Sequence, residues 1–403
     1  MNRSYLVLQG TASPFFHQLA SALRVRGNEV CRVNFCGGDL VYGGTSTENC
    51  DFNAPLETLG DWYADAVRTR GVTDVLLFGD CRDVHVPMHD VAHRMGVEVH
   101  VFEEGYVRPY WITLENHGVN GRSKLPRDPA WYREVYRNLP QFRAPIATGY
   151  NLKERAFHDM RYRWANAAYA HRYRHYQSHR PRNGLFEYAG LAARAIRNRG
   201  FHREADYLTR ELRDHAQRYF LFPLQLNSDA QVVVHSPFDG ICGAIDAVVA
   251  SFAAHAAPDT QLVIKNHPLD TGLINYRQHT LRIARRLGVA NRVHFIDAGH
   301  LPTLLEHAQG VVVINSTVGL SALHHGTPLV VLGEAIYDMQ GLTWQHGLDT
   351  FWQAPDCPDM ALYTAFLHFV IHNTQINGDF YTRGGIGMAL VGVVQRLEAR
   401  DAA

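Results

Sequence analysis

The sequence predicts an α/β protein built on two doubly wound sheets. Three observations carry this. Short, wholly apolar runs alternate with stretches of helical periodicity, the pattern of buried parallel strands joined by crossover helices. The alternation occurs twice, over 5–105 and again from about 219, with sequence of a different character between. And the 403 residues exceed the roughly 250–300 that a single core usually organises.

The elements follow in order. YLVL (5–8) reads as a buried strand, Gly10 to Pro14 as a turn, and FFHQLASALRVRG as a helix ending at Gly27. VCRVNF (30–35) is the second strand and DVLLFGD (74–80) the next, followed by a helix around 85–95 and the strand VEVHVFEEG (97–105). From about 125 to 215 the chain is rich in Arg, Tyr and His and reads as a helical insertion with polar faces. A second block supplies the strands FLFPLQL, QVVVHSP, QLVIKNHP, VHFID, GVVVIN and PLVVLG, with helices near 241–255, 274–287, 301–308 and 317–325. The expected domains are 1–218, carrying the insertion, and 219–380, with a C-terminal helix over 381–403 packing back on the first domain. Two Rossmann-like domains without GxGxxG point to a GT-B-like fold, the domains facing across a cleft.

Composition narrows the function. Lys plus Arg and Asp plus Glu are both 39, so no net field steers the chain onto nucleic acid or an anionic membrane. Apolar residues are 46% and charged residues 19% of the chain, ordinary for a globular protein. The six cysteines, without CxxC, suit free thiols in a reducing compartment. The opening MNRSYLVLQG is a first strand and not a signal peptide, and nowhere do 18 apolar residues run together. A cytoplasmic address is expected.

Chemistry-bearing residues collect where apolar strands end. In INSTVGLSALHHGTP (314–328), Asn315, Ser316 and Thr317 offer donors at the start of a helix, and Gly319 would let a ligand approach the backbone; a phosphate fits, and so does a plain N-cap. In IKNHP (264–268), Lys265 can neutralise a phosphate, and His267, stiffened by Pro268, can donate to a phosphate or carboxylate. In FEEGYVRP (102–109), Glu103 and Glu104 are general acid/base candidates, one of them an ordinary loop charge. In PLQLNSDAQ (223–231), Asp229 is either a nucleophile or a turn residue; Asp239, in a good FDG turn, is weaker. His85, His89 and His93 share one helical face but lack an acidic partner, so no metal is expected there.

Together these segments resemble the capsular polysaccharide β-Kdo transferases of the KpsS/LipB type. The similar stretches are LQGTASPFFHQLASALRVRG, VNFCGGD, FGDCRDVH, FEEGYVRPYWITLE, GVNGRSKLPRD, PLQLNSDAQ, HSPF, KNHPLD, DAGHLPTLLEHAQGVVVINSTVGLSAL and LGEAIYDMQGL, spread from residue 7 to about 352. The resemblance implies transfer of 3-deoxy-D-manno-oct-2-ulosonic acid (Kdo) from CMP-β-Kdo to a phosphatidylglycerol-type lipid, starting the β-Kdo linker of a capsule. It implies Glu103 as acid/base, Asp229 as nucleophile and His267 as donor-binding or catalytic partner. Lys265, Pro268, Asn315, Ser316, Thr317 and Gly319 would hold the donor. Gly10, Ser13, Gln225, His235 and Ser236 lie in the same segments and are further cleft residues.

Retention of configuration would use a covalent sugar–carboxylate intermediate, and no metal or other cofactor is expected because Lys265 and the 316–317 hydroxyls can take the leaving phosphate. A lipid acceptor implies peripheral contact with the inner membrane's cytoplasmic face, and capsule assembly proteins are further partners. LAARAIRNRGFHR, with Arg194, Arg197 and Arg199, is a docking candidate. Two other readings stay open: a GT-B transferase or epimerase using a UDP-sugar, and a non-catalytic capsule export or assembly subunit.

Overall fold

The computed structural model describes residues 3–43, 49–142, 144–178, 184–214, 217–227 and 230–399. Along the chain the strands are β1 (Ser4–Val7), β2 (Glu29–Asn34), β3 (Asn49–Asp51), β4 (Asp74–Phe78), β5 (Glu98–Glu104), β6 (Trp111–Asn116), β7 (Tyr219–Pro223), β8 (Gln261–Lys265), β9 (Val293–Ile296), β10 (Gly310–Val313), β11 (Leu329–Val331) and β12 (Gln375–Asn377). The helices are α1 (Phe15–Val25), α2 (Gly37–Gly43), α3 (Leu59–Arg70), α4 (Val86–Met95), α5 (Pro129–Tyr136), α6 (Leu152–Ala168), α7 (Gly184–Asp214), α8 (Ala230–Val233), α9 (Gly240–His255), α10 (Tyr276–Arg286), α11 (Leu301–Glu306), α12 (Val318–His324), α13 (Leu348–Phe351), α14 (Met360–Thr374) and α15 (Arg383–Ala399).

Two compact units result. The first holds 1–124, 140–179 and 370–403; the second holds 125–139 and 180–369. This revises the expected boundary at 218–219: residues 180–218 pack with the second unit, because α7 lies against β9 and its Arg194 and Glu204 reach ion-pair partners there.

The first unit's sheet runs β12-β6-β5-β4-β1-β2-β3, parallel from β5 to β3, with β6 and β12 antiparallel at the other edge. Strand order reverses beside β1, so the ends of β1 and β4 flank the position where open α/β sheets take ligands. One face packs on α1 and α15, where Phe15 meets Phe16, Phe102 and Phe380 edge-on at 5.0–5.7 Å. Such pairs add about 0.5–1.5 kcal/mol each beyond their buried area. The other face packs on α3 and α4 through Leu59, Tyr63, Met88 and Val91.

The second unit's sheet, β11-β10-β7-β8-β9, is wholly parallel, and its reversal lies between β7 and β10. β7 is buried at every residue, as its unbroken apolar run requires. The expected strand QVVVHSP is instead the short helix α8 and a turn. Val232 is buried while Val233 and Val234 are exposed, a one-sided pattern, and β7 already has neighbours on both sides.

Candidate functional site

In the first unit the chemistry sits at the end of β1 and β4. Arg82 Nη1 donates to Gln9 Oε1 at 3.1 Å and to the Gly10 carbonyl at 2.9 Å, tying the two strand ends together. Gln9 Nε2 in turn donates to Asp39 Oδ2 at 3.1 Å and to the Tyr176 hydroxyl at 3.2 Å. Asp39 also accepts the Phe35 N–H at 3.0 Å and the Tyr162 hydroxyl at 2.8 Å. Burial, with Asp39 and Cys36 beside it, pushes the Tyr162 phenol well up, so it stays a donor. None of Gln9, Arg82, Asp39, Tyr162 and Tyr176 was a sequence candidate. The signal for Gln9 and Arg82 was position alone, directly after an apolar strand.

Glu103 and Glu104 close β5. Successive side chains on a strand point to opposite faces, and the two carboxylates separate accordingly. Glu104 lies on the α15 side, where its Oε1 accepts the Tyr381 hydroxyl at 2.9 Å and pairs with Arg155 at 3.3 Å. Glu103 lies on the α4 side. Its Oε2 would be 3.6 Å from a Cβ built on Gly79, and Arg82 Nε 3.8 Å from the same point. Gly79 has φ +69°, a left-handed backbone that favours glycine in the turn after β4. The Glu103 charge is felt at Cys81, whose thiol burial and Asp80 push up to about 12, with Glu103 adding to the rise.

The histidines of α4 brace this turn. His85 Nδ1 bonds the Gly79 carbonyl at 2.6 Å and His89 Nε2 the Asp80 carbonyl at 3.2 Å, while His93 is exposed. Gly10 and Ser13 also act within the protein. A Cβ on Gly10 would come 2.5 Å from the Phe16 ring, and Ser13 Oγ accepts the Phe15 N–H at 3.3 Å at the start of α1.

In the second unit, three neighbouring strands end together. Gln225, following β7, donates from Nε2 to Asn315 Oδ1 at 3.0 Å and accepts the Asn315 N–H at 3.3 Å. This pair bridges β7 and β10 where the strand order reverses. Asn315 Nδ2 donates to the His235 carbonyl at 3.0 Å. Buried His235 also faces Glu334 through Nδ1 at 3.3 Å. Ser236 Oγ donates to the Val232 carbonyl at 2.6 Å, ending α8. Ser316 and Thr317 are half-buried at the start of α12, and Ser316 Oγ accepts the Val318 N–H at 3.2 Å. Gly319 changes meaning here. A Cβ on it would meet the Tyr337 hydroxyl at 2.3 Å, so the glycine admits Tyr337 and not a ligand.

On the other side of β7, Lys265 ends β8. It is buried, and among the described residues its ammonium has one hydrogen-bond partner, the Asn266 carbonyl at 3.5 Å. Burial lowers its pKa, the Arg194 guanidinium lowers it further, and Asp297 opposes. Asn266 Nδ2 holds Asp297 at 2.8 Å and Asp270 at 3.2 Å. His267 Nδ1 accepts the Leu269 N–H at 3.1 Å, so the neutral ring carries its proton on Nε2. Pro268 is exposed in the turn that follows, and Asp239, also exposed, makes no side-chain cap to α9. Asp229 lies outside the described residues.

Arg194 is engaged inside the second unit. It pairs with Asp297 Oδ1 at 3.3 Å and also donates to the Asp297 carbonyl, while Arg277 bonds Asp297 at 2.9 Å and Glu204 at 2.6 and 2.8 Å. That corrects the docking surface expected at Arg194, Arg197 and Arg199: its first member is a half-buried cross-link to Asp297. Arg197 and Arg199 are exposed.

A family model described as "Capsule polysaccharide biosynthesis protein" matches residues 73–381. The chain belongs to this family. It is 37% identical over 385 residues to the capsule polysaccharide export protein KpsS of Escherichia coli, covering 94% of this chain and 97% of that one. It is 34% identical over 383 residues to the capsule polysaccharide modification protein LipB of Neisseria meningitidis serogroup A, covering 94% and 91%. The solved structure of the β-Kdo 2,7 transferase KpsC from Thermosulfurimonas dismutans is 14% identical with a TM-score of 0.48, covering 98% of this chain and all of that one. The family places the chain in capsule polysaccharide biosynthesis. No helix among the described residues is long and apolar enough to cross a membrane.

Proposed function

We propose that this capsule biosynthesis protein is a retaining glycosyltransferase that moves β-Kdo from CMP-β-Kdo to a phosphatidylglycerol-type lipid. The observation that carries the donor half is Lys265. Among the described residues this buried ammonium has one long hydrogen bond and a neighbouring guanidinium whose effect exceeds that of Asp297, so a further anion would complete its surroundings. It stands at the carboxyl edge of a parallel sheet, two strands from Ser316 and Thr317, where nucleotide phosphates bind in such folds. Lys265 and these hydroxyls take the charge of the departing CMP phosphate, and His267 adds a donor from Nε2. No divalent cation or other cofactor is required for that role, so activity unchanged by EDTA is the expected result.

In the first half-reaction the Asp229 carboxylate forms a bond to the anomeric carbon as the bond to the CMP phosphate oxygen breaks, and CMP leaves with that electron pair. In the second, the acceptor hydroxyl attacks the same carbon, Glu103 takes its proton, and the Asp229 carboxylate departs. Glu103, on the α4 side of β5 beside the Gly79 turn and Arg82, takes this role, and Glu104, bonded to Tyr381 and Arg155, does not. The protein then works as a peripheral enzyme at the cytoplasmic face of the inner membrane, beside other capsule assembly proteins.

The test is transfer from freshly generated CMP-Kdo to a fluorescent phosphatidylglycerol-type acceptor, with Asp229→Asn in parallel. Product from the native protein and none from the variant supports the reading. No product, although CMP raises the melting temperature, keeps the donor and rejects the acceptor. No product and a response to UDP instead of CMP favours a UDP-sugar enzyme. No response to either nucleotide favours a non-catalytic assembly role.

A further inference from the structure

Helix α6 packs through one side and carries large apolar residues on the opposite one. At about 100° per residue, His158, Tyr162, Ala165 and Asn166 share one side, and this side is anchored to α2. Tyr162 bonds Asp39 at 2.8 Å, Asn166 Oδ1 accepts the Gly38 N–H at 2.6 Å, and Tyr42 contacts His158 Nδ1 at 2.7 Å. A Cβ on Gly37 would meet the Ala165 carbonyl at 2.1 Å, so the two helices touch backbone to backbone. The opposite side carries Phe157, Met160 and Trp164 at the i, i+3, i+7 spacing of one stripe. These are 57%, 44% and 76% exposed. Lys153 lies on the same side one turn before the stripe, and Arg161 and Arg163 lie at its flanks.

We propose that this stripe of α6 docks the protein on an anionic phospholipid bilayer. Scattered exposed apolar residues need no explanation, but three large ones in one row, opposite a well-packed face, do. The occupant follows from charge and shape. Over 152–178 the chain has six cations, Lys153, Arg155, Arg161, Arg163, Arg172 and Arg174, against Glu154 and Asp159; Arg155, Arg163 and Arg172 pair with Glu104, Asp159 and Asp51, and Lys153, Arg161 and Arg174 keep the face positive. The chain as a whole is neutral, so this is a local field. A protruding Trp and Phe flanked by Lys and Arg match the boundary between headgroups and acyl chains, where an in-plane helix buries its apolar side and leaves cations on the phosphates.

The inference deepens the proposed function and rests on it only in that a lipid-linked acceptor lies in such a bilayer. Flotation of the full chain with vesicles of phosphatidylglycerol and phosphatidylcholine in equal parts, and with phosphatidylcholine alone, tests it. The native protein is expected to bind the mixed vesicles, and Phe157→Ser/Met160→Ser/Trp164→Ser to bind at least about tenfold less at an unchanged melting temperature. Brominated lipid should quench native fluorescence more than that of Trp164→Phe. Equal binding by the triple variant, or no binding by the native protein, overturns the docking. So does a native dimer that the triple variant converts to monomer without any vesicle binding, which makes the stripe a subunit interface. A water-soluble short-chain acceptor keeps the two readings apart: the triple variant should retain full transfer to it, whereas no transfer by the native protein is a failure of the enzyme reading alone.

Discussion

Glu103 and Glu104 are neighbours in β5 whose carboxylates are committed to different sides of the sheet. Glu104 Oε1 is bonded by Tyr381 and Arg155 on the α15 side, while Glu103 Oε2 faces the Gly79 turn near Arg82. Their substitutions should therefore separate. Glu103→Gln is expected to lower transfer by about 10²–10⁴-fold with an unchanged melting temperature. Glu104→Gln should keep transfer near the native level and cost less than about 1 kcal/mol, since the Arg155 pair is partly exposed. Steady-state rates beside thermal melts read both, and the reverse pattern would move the acid/base to Glu104.

Lys265 gives a pH signature. Its folded pKa lies below the ordinary lysine value of about 10.4. In the window between the two, the unfolded chain binds more protons, so the ligand-free protein gains stability as pH rises through it. A bound phosphate pulls the proton back, so CMP affinity should fall as pH rises through the lowered pKa. Lys265→Met should weaken CMP binding by about 10–100-fold and remove that slope. Calorimetric titrations from neutral pH up to the ordinary lysine value read it; a parallel slope in the variant would count against the lysine.

The Gln225–Asn315 bridge should be structural as much as functional. Gln225→Leu leaves the buried Asn315 N–H and side-chain carbonyl without these partners, at a cost of about 1–3 kcal/mol. A clear fall in melting temperature together with weaker CMP binding is expected. Loss of stability with unaltered nucleotide affinity would show that the bridge serves the fold alone.

Acid should destabilise the protein in the histidine range. Desolvation in buried or half-buried sites holds His85, His89, His158 and His294 below their ordinary pKa. Above about pH 6.5 these rings are neutral in both folded and unfolded chains and cost nothing. As pH falls below that value the unfolded chain takes up protons that the folded one refuses, and stability drops. Thermal melts between pH 7.5 and 5.0 should show a steady decline; a flat profile would mean the buried rings find charge partners.

Much of this was legible in the residues. A strand buried on both faces must be an unbroken apolar run, so β1, β4, β7, β8 and β10 announce themselves, and the polar residues at their carboxyl ends mark the sheet edge. Lys265, Asn315 and Glu103 could be chosen that way. The short or antiparallel strands β3, β6 and β12 could not, because three to six residues of mixed polarity carry no such pattern. QVVVHSP misled because β-branched residues favour strands only where a neighbouring strand is free to pair.

The sequence by itself therefore determined the parallel strands of the two α/β sheets and the family, since both rest on local patterns of side chains along the chain. Tertiary structure alone decided which neighbour each polar group meets. It put Arg82 across β1 and β4, turned Glu104 toward Tyr381, filled the space above Gly319 with Tyr337, and paired Arg194 with Asp297. Those partners lie tens to hundreds of residues apart in sequence, and only packing brings them within hydrogen-bond reach.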